Sequence, residues 1–439
     1  VNQHDDLPMS SRLLTLLALS LVALPAFSQA SLEALIDDIE PSVIEWRRDF
    51  HANPELSNRE FRTAAVVADH LHSLGLEVET EVAHTGVIGI LRGAHPGPMV
   101  ALRADMDALP VKERVDLPFK SEVVSLYRGE EVPVMHACGH DTHIAMLMGA
   151  AEVLSAMRED LHGSIKFIFQ PAEEGPPPGE EGGAELMVKE GVMEDVDAVF
   201  GLHINAGTYI GQINYRPQGI MAAVDDFRIV LNGKQAHGSA PWLGIDPIVA
   251  AAQVVNNLQT IVSRNMQLTK AAAVVTVGSI HGGVRSNIIP EELEMLGTIR
   301  TFDPEMRETL HKRFREIVGH TAASNGATAE IQLPYSAHYP VTYNDPDLTA
   351  SMLPTLERIA GAENINLIDA VTGAEDFSYF AREVPGLYVF VGGKPLDAPA
   401  DENVSHHTPD FFVDESGMKL GLQAYVNLAL DYMEMASTQ

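Results

Sequence analysis

The chain has 439 residues, enough at the usual ~150 residues per domain for roughly two to three domains and a large core. Hydrophobic residues at 46% and charged ones at 21% describe an ordinary globular protein and exclude a disordered one. Lys and Arg number 29 against 61 Asp and Glu, a formal charge of -32. That field repels phosphate backbones and anionic lipid, so nucleic acid and membrane surfaces are not expected partners.

In chain order, residues 13–24 come first: an apolar run interrupted only by Thr15 and Ser20, preceded by Arg12 and followed by Ser28-Gln29-Ala30, a small-x-small cleavage signal. A bilayer span needs ~20 apolar residues. Residues 1–30 therefore read as a signal peptide, with a mature chain starting near Ser31 in the periplasm or outside the cell. Asp5 and Asp6 do not suit a positive leader, whereas a start at Met9 leads through Arg12 into the run. A buried N-terminal helix is the competing reading, and a run apolar on every face and ending in a cleavage signal argues against it.

Apolar spacing of helical period covers residues 32–50 and 61–74, followed by strand-like runs at 76–82, 87–91 and 99–102 and an amphipathic helix over 142–157. Strands at 165–169 and 196–202, with a helix near 184–189 between them, continue the alternation. That pattern predicts an α/β domain with a largely parallel sheet covered on both faces. Between 219 and 333 the order changes to strand 227–231, helix 245–262, strands 273–279 and 293–301, helix 304–323 and strand 329–333. This β-α-β-β-α-β order is the ferredoxin-like split unit. It is bounded by Arg216-Pro217-Gln218-Gly219 and by Pro334 and Pro340, turn formers suited to hinges. A helix from about 347, a strand at 387–391 and a helix over 415–433 return to the first pattern. The expected organisation is one α/β domain, residues 31–218 and 334–439, interrupted by a small inserted domain, residues 219–333.

Cys138 is the single cysteine, so no intrachain disulfide is possible. It is either a buried hydrophobe or a metal-bound thiolate, and its neighbours decide which. They are His136-Ala137-Cys138-Gly139-His140-Asp141-Thr142-His143, between a strand region and a helix start. Thiolate and imidazole suit zinc, cobalt or nickel, and alternate positions of an extended loop would aim Cys138 and His140 at one centre. His143 is expected to lie on the helix and face elsewhere. The strand at 165–169 runs into Gln170-Pro171-Ala172-Glu173-Glu174-Gly175. Two carboxylates at a strand end are commonly a solvated edge, but in α/β sheets sites gather beyond the carboxyl ends of strands, and successive side chains diverge. One glutamate can then bind metal while its neighbour acts as general base on water. The strand at 196–202 delivers His203 in the same way, Ser405-His406-His407-Thr408-Pro409 supplies two more histidines, and Asp105 and Asp107 can orient a ligand from behind.

These motifs resemble those of the M20 metallopeptidases. Asp105-Met-Asp107-Ala-Leu-Pro, His136-x-Cys-Gly-His-Asp-x-His143, Gln170-Pro-Ala-Glu-Glu, Gly-Leu-His203, Ala-His237-Gly-Ser-Ala-Pro, Asn287-Ile-Ile-Pro, Gly373-Ala-Glu-Asp-Phe-Ser-Tyr-Phe380 and His407-Thr-Pro occur in order over nearly the whole mature chain. The match is nearest to the aminoacylase, hippurate hydrolase and auxin-conjugate amidohydrolase branch. The resemblance implies that Cys138, His140, Glu174, His203 and His407 ligate one or two divalent ions (zinc, manganese, cobalt or nickel), that Glu173 is the general base, and that Asp107 supports a ligand. Five ligands cannot close two tetrahedral shells, so two ions would need a bridging group. It also implies that His237, Asn287 and Arg300 hold the scissile carbonyl and the substrate carboxylate, often across a dimer. Independently, a histidine and an asparagine suit oxyanion charge, and an arginine suits a planar carboxylate, although Arg300 alone is equally an ordinary surface ion-pair partner.

The expected function is hydrolysis of the amide of small N-acyl amino acids or short peptides by a homodimer. A dipeptidase or carboxypeptidase on the same site is the first alternative. A metal-loaded periplasmic binding protein without turnover is the second, and Glu173 argues against it because binding alone does not need that carboxylate. A serine hydrolase elbow and a phosphate-binding P-loop are absent from the sequence.

Overall fold

The computed structural model describes residues 29–336, 338–401 and 404–437. The apolar run of the expected signal peptide lies outside the described residues. The first helix, Gln29–Ala52, turns Leu32, Ile36, Ile39, Val43 and Phe50 inward at helical spacing. It packs on His140–Ala156, a helix buried along almost its whole length. No described helix is long and apolar enough to cross a membrane.

The large sheet has eight strands in the order Glu77–Val82, Gly86–Arg92, His162–Gln170, His95–Asp105, Ala198–Tyr209, Gly386–Lys394, Ile213–Tyr215 and Ile365–Leu367. From His162–Gln170 to Gly386–Lys394 the four middle strands run parallel. They are buried on both faces, as their continuous apolar runs require. One face packs under the helices Gln29–Ala52, His140–Ala156 and Met418–Ser437, the other under Gly183–Lys189 and Phe377–Glu383. The outer strand pairs Glu77–Val82 with Gly86–Arg92, and Gly86–Arg92 with His162–Gln170, are antiparallel.

The stretch expected to be a split unit carries a second, antiparallel sheet in the order Ala273–Gly282, Glu292–Thr301, Ala223–Asn232 and Thr328–Gln332. The helices Pro247–Thr260 and Pro304–Ser324 cover one face around Phe227, Leu258, Leu310 and Phe314. Both helices begin Asp-Pro. The Asp246 carboxylate accepts the N–H groups of Ile248 and Val249, that of Asp303 accepts Met306 N–H, and each proline takes the first helical turn where no donor is needed. The two crossings between the sheets run side by side. Gln218–Met221 pairs with Thr342–Asn344, and immediately beyond, Val224 and Asp225 pair with Tyr339 and His338. The hinge is thus a two-stranded ribbon rather than two loose loops. The periodicity also gave no sign of the hairpin Val124–Tyr127/Glu130–Pro133, whose strands have only four residues each.

Candidate metal centre

The carboxyl ends of the parallel strands open into a cleft of about 1770 Å³ lined by Cys138, Glu173, Glu174, His203, Tyr339 and His407, among others. Cys138 and His140 are not held by an extended loop, as alternation had suggested. Gly139 adopts φ +100°, caps the helix His140–Ala156, and leaves His140 as the first helical residue. Only glycine fits there: a Cβ would lie 2.4 Å from Ile204 Cγ2 in a left-handed backbone. This turn separates the two side chains, so that Cys138 faces His203 and His407 while His140 faces the glutamates.

Cys138 Sγ lies 3.3 Å from His203 Nε2 and 3.2 Å from His407 Nε2, and His407 Nε2 lies 3.0 Å from Glu174 Oε1. His140 Nε2 is buried with no hydrogen-bond partner among the described residues, 3.8 Å from Glu173 Oε2. Among the described residues, five sets of three side chains place one donor atom each within 4.8 Å of the others: Cys138–His203–His406, Cys138–Glu174–His407, His140–Glu173–Glu174, Asp105–His140–His143 and Glu173–Glu375–Asp376. Cys138 and Glu174 each occur in two of them. A soft thiolate, imidazoles and carboxylates converging on an orphaned imidazole nitrogen form a donor set that fits a divalent transition ion. His406 is nevertheless occupied: its Nδ1 lies 3.1 Å from Cys138 O, and its Nε2 accepts Ala206 N–H at 3.2 Å. It clips the loop while its neighbour His407, at φ +61°, turns into the site.

A layer of polar groups behind the site sets its geometry. His140 Nδ1 bonds the Asp107 backbone carbonyl at 2.8 Å. The Asp107 carboxylate accepts the N–H of Glu173 and that of Glu174, both at 3.0 Å, and the Ser57 hydroxyl at 2.7 Å. His143 does not face elsewhere. Its Nδ1 lies 2.6 Å from Asp105 Oδ1, its Nε2 accepts Ile204 N–H at 2.8 Å, and its ring stands 4.7 Å from that of His203. Asp105 is in turn held by the fully buried Arg103, which also pairs with Glu375 and Asp376 at 2.8 and 2.9 Å. Sequence reasoning assigned no task to Ser57, Arg103, Glu375, Asp376 or Tyr339; the Glu375-Asp376 pair was visible only within a motif of the resemblance.

Burial works against a charged His140, but Asp105 and Asp107 overcome it and hold the imidazole up at about 10. Burial, then the charges of Glu375, Glu174 and Asp376, push the Glu173 carboxyl up, which makes it a better proton acceptor once ionised. Burial and the carboxylates of Glu174, Glu173 and Asp105 likewise push the Cys138 thiol up, a tendency a bound cation reverses.

The three residues expected to touch substrate lie on the small domain. His237 is exposed, pairs with Ile288, and accepts the Ser239 N–H at 3.0 Å; Gly238 N–H bonds Asn287 O at 2.8 Å, so the two loops are neighbours. Neither His237 nor Asn287 lines the cleft of its own chain. Half-buried Arg300 reaches the Thr372 carbonyl at 3.4 Å, on the cleft wall.

Residues 101–431 match the model of peptidase family M20/M25/M40. The chain belongs to this family. It is a hydrolase of the M20 group, and its architecture is the M20 peptidase fold. It is 42% identical over 398 residues to thermostable carboxypeptidase 2 of Saccharolobus solfataricus, covering 90% of this chain and 97% of that one. It is 36% identical over 385 residues to the N-acetyl-L-cysteine deacetylase of Bacillus subtilis, covering 87% and 86%. Among solved structures, the Bacillus subtilis YXEP protein, described as a dinuclear metal-binding peptidase of the M20 family, superposes with a TM-score of 0.73 at 33% identity over 91% of this chain and 99% of that one.

Proposed function

We propose that this M20 hydrolase is a metal-dependent amidohydrolase that cleaves the amide joining an acyl group to an α-amino acid. The observation that carries the reading is the pairing of a donor set, buried at Cys138, His140 and His203 and completed by Glu174 and the half-exposed His407, with the buried carboxylate of Glu173 beside it. Those five side chains would hold one or two divalent ions, and an ion bound there supplies Lewis acidity. Glu173 takes a proton from water as that water attacks the carbonyl carbon. It returns the proton to the amine nitrogen as the C–N bond breaks. Asp107 keeps Glu173 and Glu174 in place through their backbone N–H groups. Arg300 would bind the α-carboxylate, while His237 and Asn287 would stabilise oxyanion charge.

Because His237 and Asn287 stand off the cleft of their own chain, we assign them to the site of a second copy in a homodimer. The long edge strand Ala273–Gly282, with Val274 and Ile280 exposed, offers a surface for that pairing. The leader-like residues 1–30 support work in the periplasm or outside the cell. Carboxypeptidase action is the second reading, favoured by the 42% identity to a carboxypeptidase. Both reactions release an amino acid through the same groups. A panel of N-acyl amino acids and dipeptides, assayed on chelator-stripped protein reloaded with zinc, manganese, cobalt or nickel, separates them. The amidohydrolase reading expects the larger kcat/KM on N-acyl amino acids, and a larger value on peptides overturns it.

A further inference from the structure

The turn that carries Glu173 is anchored on every side. Ala172, at its start, sits in the left-handed region at φ +52°, a conformation an alanine keeps only when its surroundings impose it. Ala172 N–H donates to Glu60 Oε1 at 2.9 Å, and Glu173 and Glu174 N–H donate to Asp107. Those anchors come from the large domain. The fourth comes from the hinge: the Tyr339 hydroxyl donates to the Glu173 backbone carbonyl at 2.8 Å. Tyr339 lies in the ribbon joining the domains, where it pairs with Val224 at the root of the small sheet's central strand. Its neighbour His338 is held in turn, since the Tyr379 hydroxyl donates to His338 O at 2.6 Å. A swing of the small domain about this ribbon would displace the phenol relative to the Glu173 carbonyl.

We propose that Tyr339 is a positioning residue through which the seating of the small domain sets the place of Glu173, so that the general base is correctly aimed only when the domain is seated. The inference rests on Glu173 being that base. The two anchors on Asp107 fix the N–H side of the turn, and the Tyr339 bond fixes its carbonyl side. Without it, the peptide plane following Glu173 is held only through its Glu174 N–H on Asp107 and can rock about that single bond. Displacements of this size, well under the length of a residue, are enough to cost a proton transfer much of its rate.

Tyr339→Phe removes one oxygen and keeps the ring, which makes it the direct test. Expected are a fall in kcat of about 10-fold with KM within about twofold, unchanged metal stoichiometry, and faster hydrogen exchange at the amides of residues 173–175. In a Glu173→Gln background, the same substitution should lower the residual rate no further, because the group it positions is already gone. A kcat within twofold of the parent, or an equal loss in both backgrounds, overturns the inference. A Glu173→Gln variant that keeps its activity overturns instead the reading of Glu173 as base; an inactive Glu173→Gln beside a fully active Tyr339→Phe removes only the role of Tyr339.

Discussion

Asp107 holds Glu173 by its backbone rather than by its side chain: Oδ1 accepts the Glu173 N–H at 3.0 Å while Oδ2 takes that of Glu174. One carboxylate thus places two adjacent residues of different duty, and does so through groups that every residue except proline possesses. Asp107→Asn exchanges one acceptor oxygen for an N–H₂ group facing an N–H. Turnover should fall by about 10²-fold. Metal content should hold, because the Asp107 carbonyl that supports His140 is untouched. Steady-state kinetics beside metal analysis checks this, and an unchanged kcat would show that the turn holds its shape without the clamp.

Glu173→Gln keeps the shape of the side chain and removes its proton affinity. Metal should remain bound, with turnover lower by on the order of 10²-fold or more. Near-normal turnover would sink the assignment.

Chelation should abolish activity and expose Cys138 to alkylation, since a ligated thiolate is shielded and a freed one lies 3.2 Å from the half-exposed His407 at the cleft wall. Adding back a divalent ion before alkylation should restore protection, read by mass spectrometry of the peptide containing Cys138. Equal labelling with and without metal would return Cys138 to the role of a buried hydrophobe.

Asp225 anchors the small domain near the hinge through two bonds from Arg307 at 2.6 and 2.8 Å, with His311 2.9 Å away. Burial pushes its carboxyl up, but the Arg307 and His311 bonds outweigh burial and hold it below the usual range. A depressed folded value means that the stabilisation is fully present above the unfolded value of ~3.9 and is lost as pH falls through the folded one. Asp225→Asn should therefore destabilise by about 3 kcal/mol at neutral pH. The gap in melting temperature between parent and variant should stay constant from neutral pH down to about 5 and close only below the ordinary carboxylate range. A gap that closes between pH 6 and 7 would point to a different titrating group.

Mixing inactive Glu173→Gln chains with inactive His237→Ala chains tests the cross-subunit site. Heterodimers would contain one site with Glu173 from one chain and His237 from the other, and should recover activity near half of their sites. Verified heterodimers that stay inactive would place His237 in service of its own chain.

The sequence by itself determined the elements and the chemistry. Strand and helix periods run locally, so the expected helix at 304–323 appears as Pro304–Ser324 and the strand at 293–301 as Glu292–Thr301. Residues of unusual chemistry at strand ends marked Cys138, Glu173, Glu174 and His203 before any coordinates. What only the tertiary structure decided is which of them face one another. Alternation, the default for a short non-helical stretch, puts His140 in an extended loop, whereas Gly139, with no room for a Cβ beside Ile204, makes a left-handed turn there. His143 was read as facing away, yet its two nitrogens tie Asp105 to Ile204 across two strands. The resemblance already names His407 rather than His406 as a ligand, but the bonds that occupy His406 come from backbone groups of Cys138 and Ala206, about 200 or more residues distant in the chain. Such bonds join segments with no shared local pattern, and a backbone N–H or carbonyl carries no residue identity, so nothing in the order of the amino acids announces them.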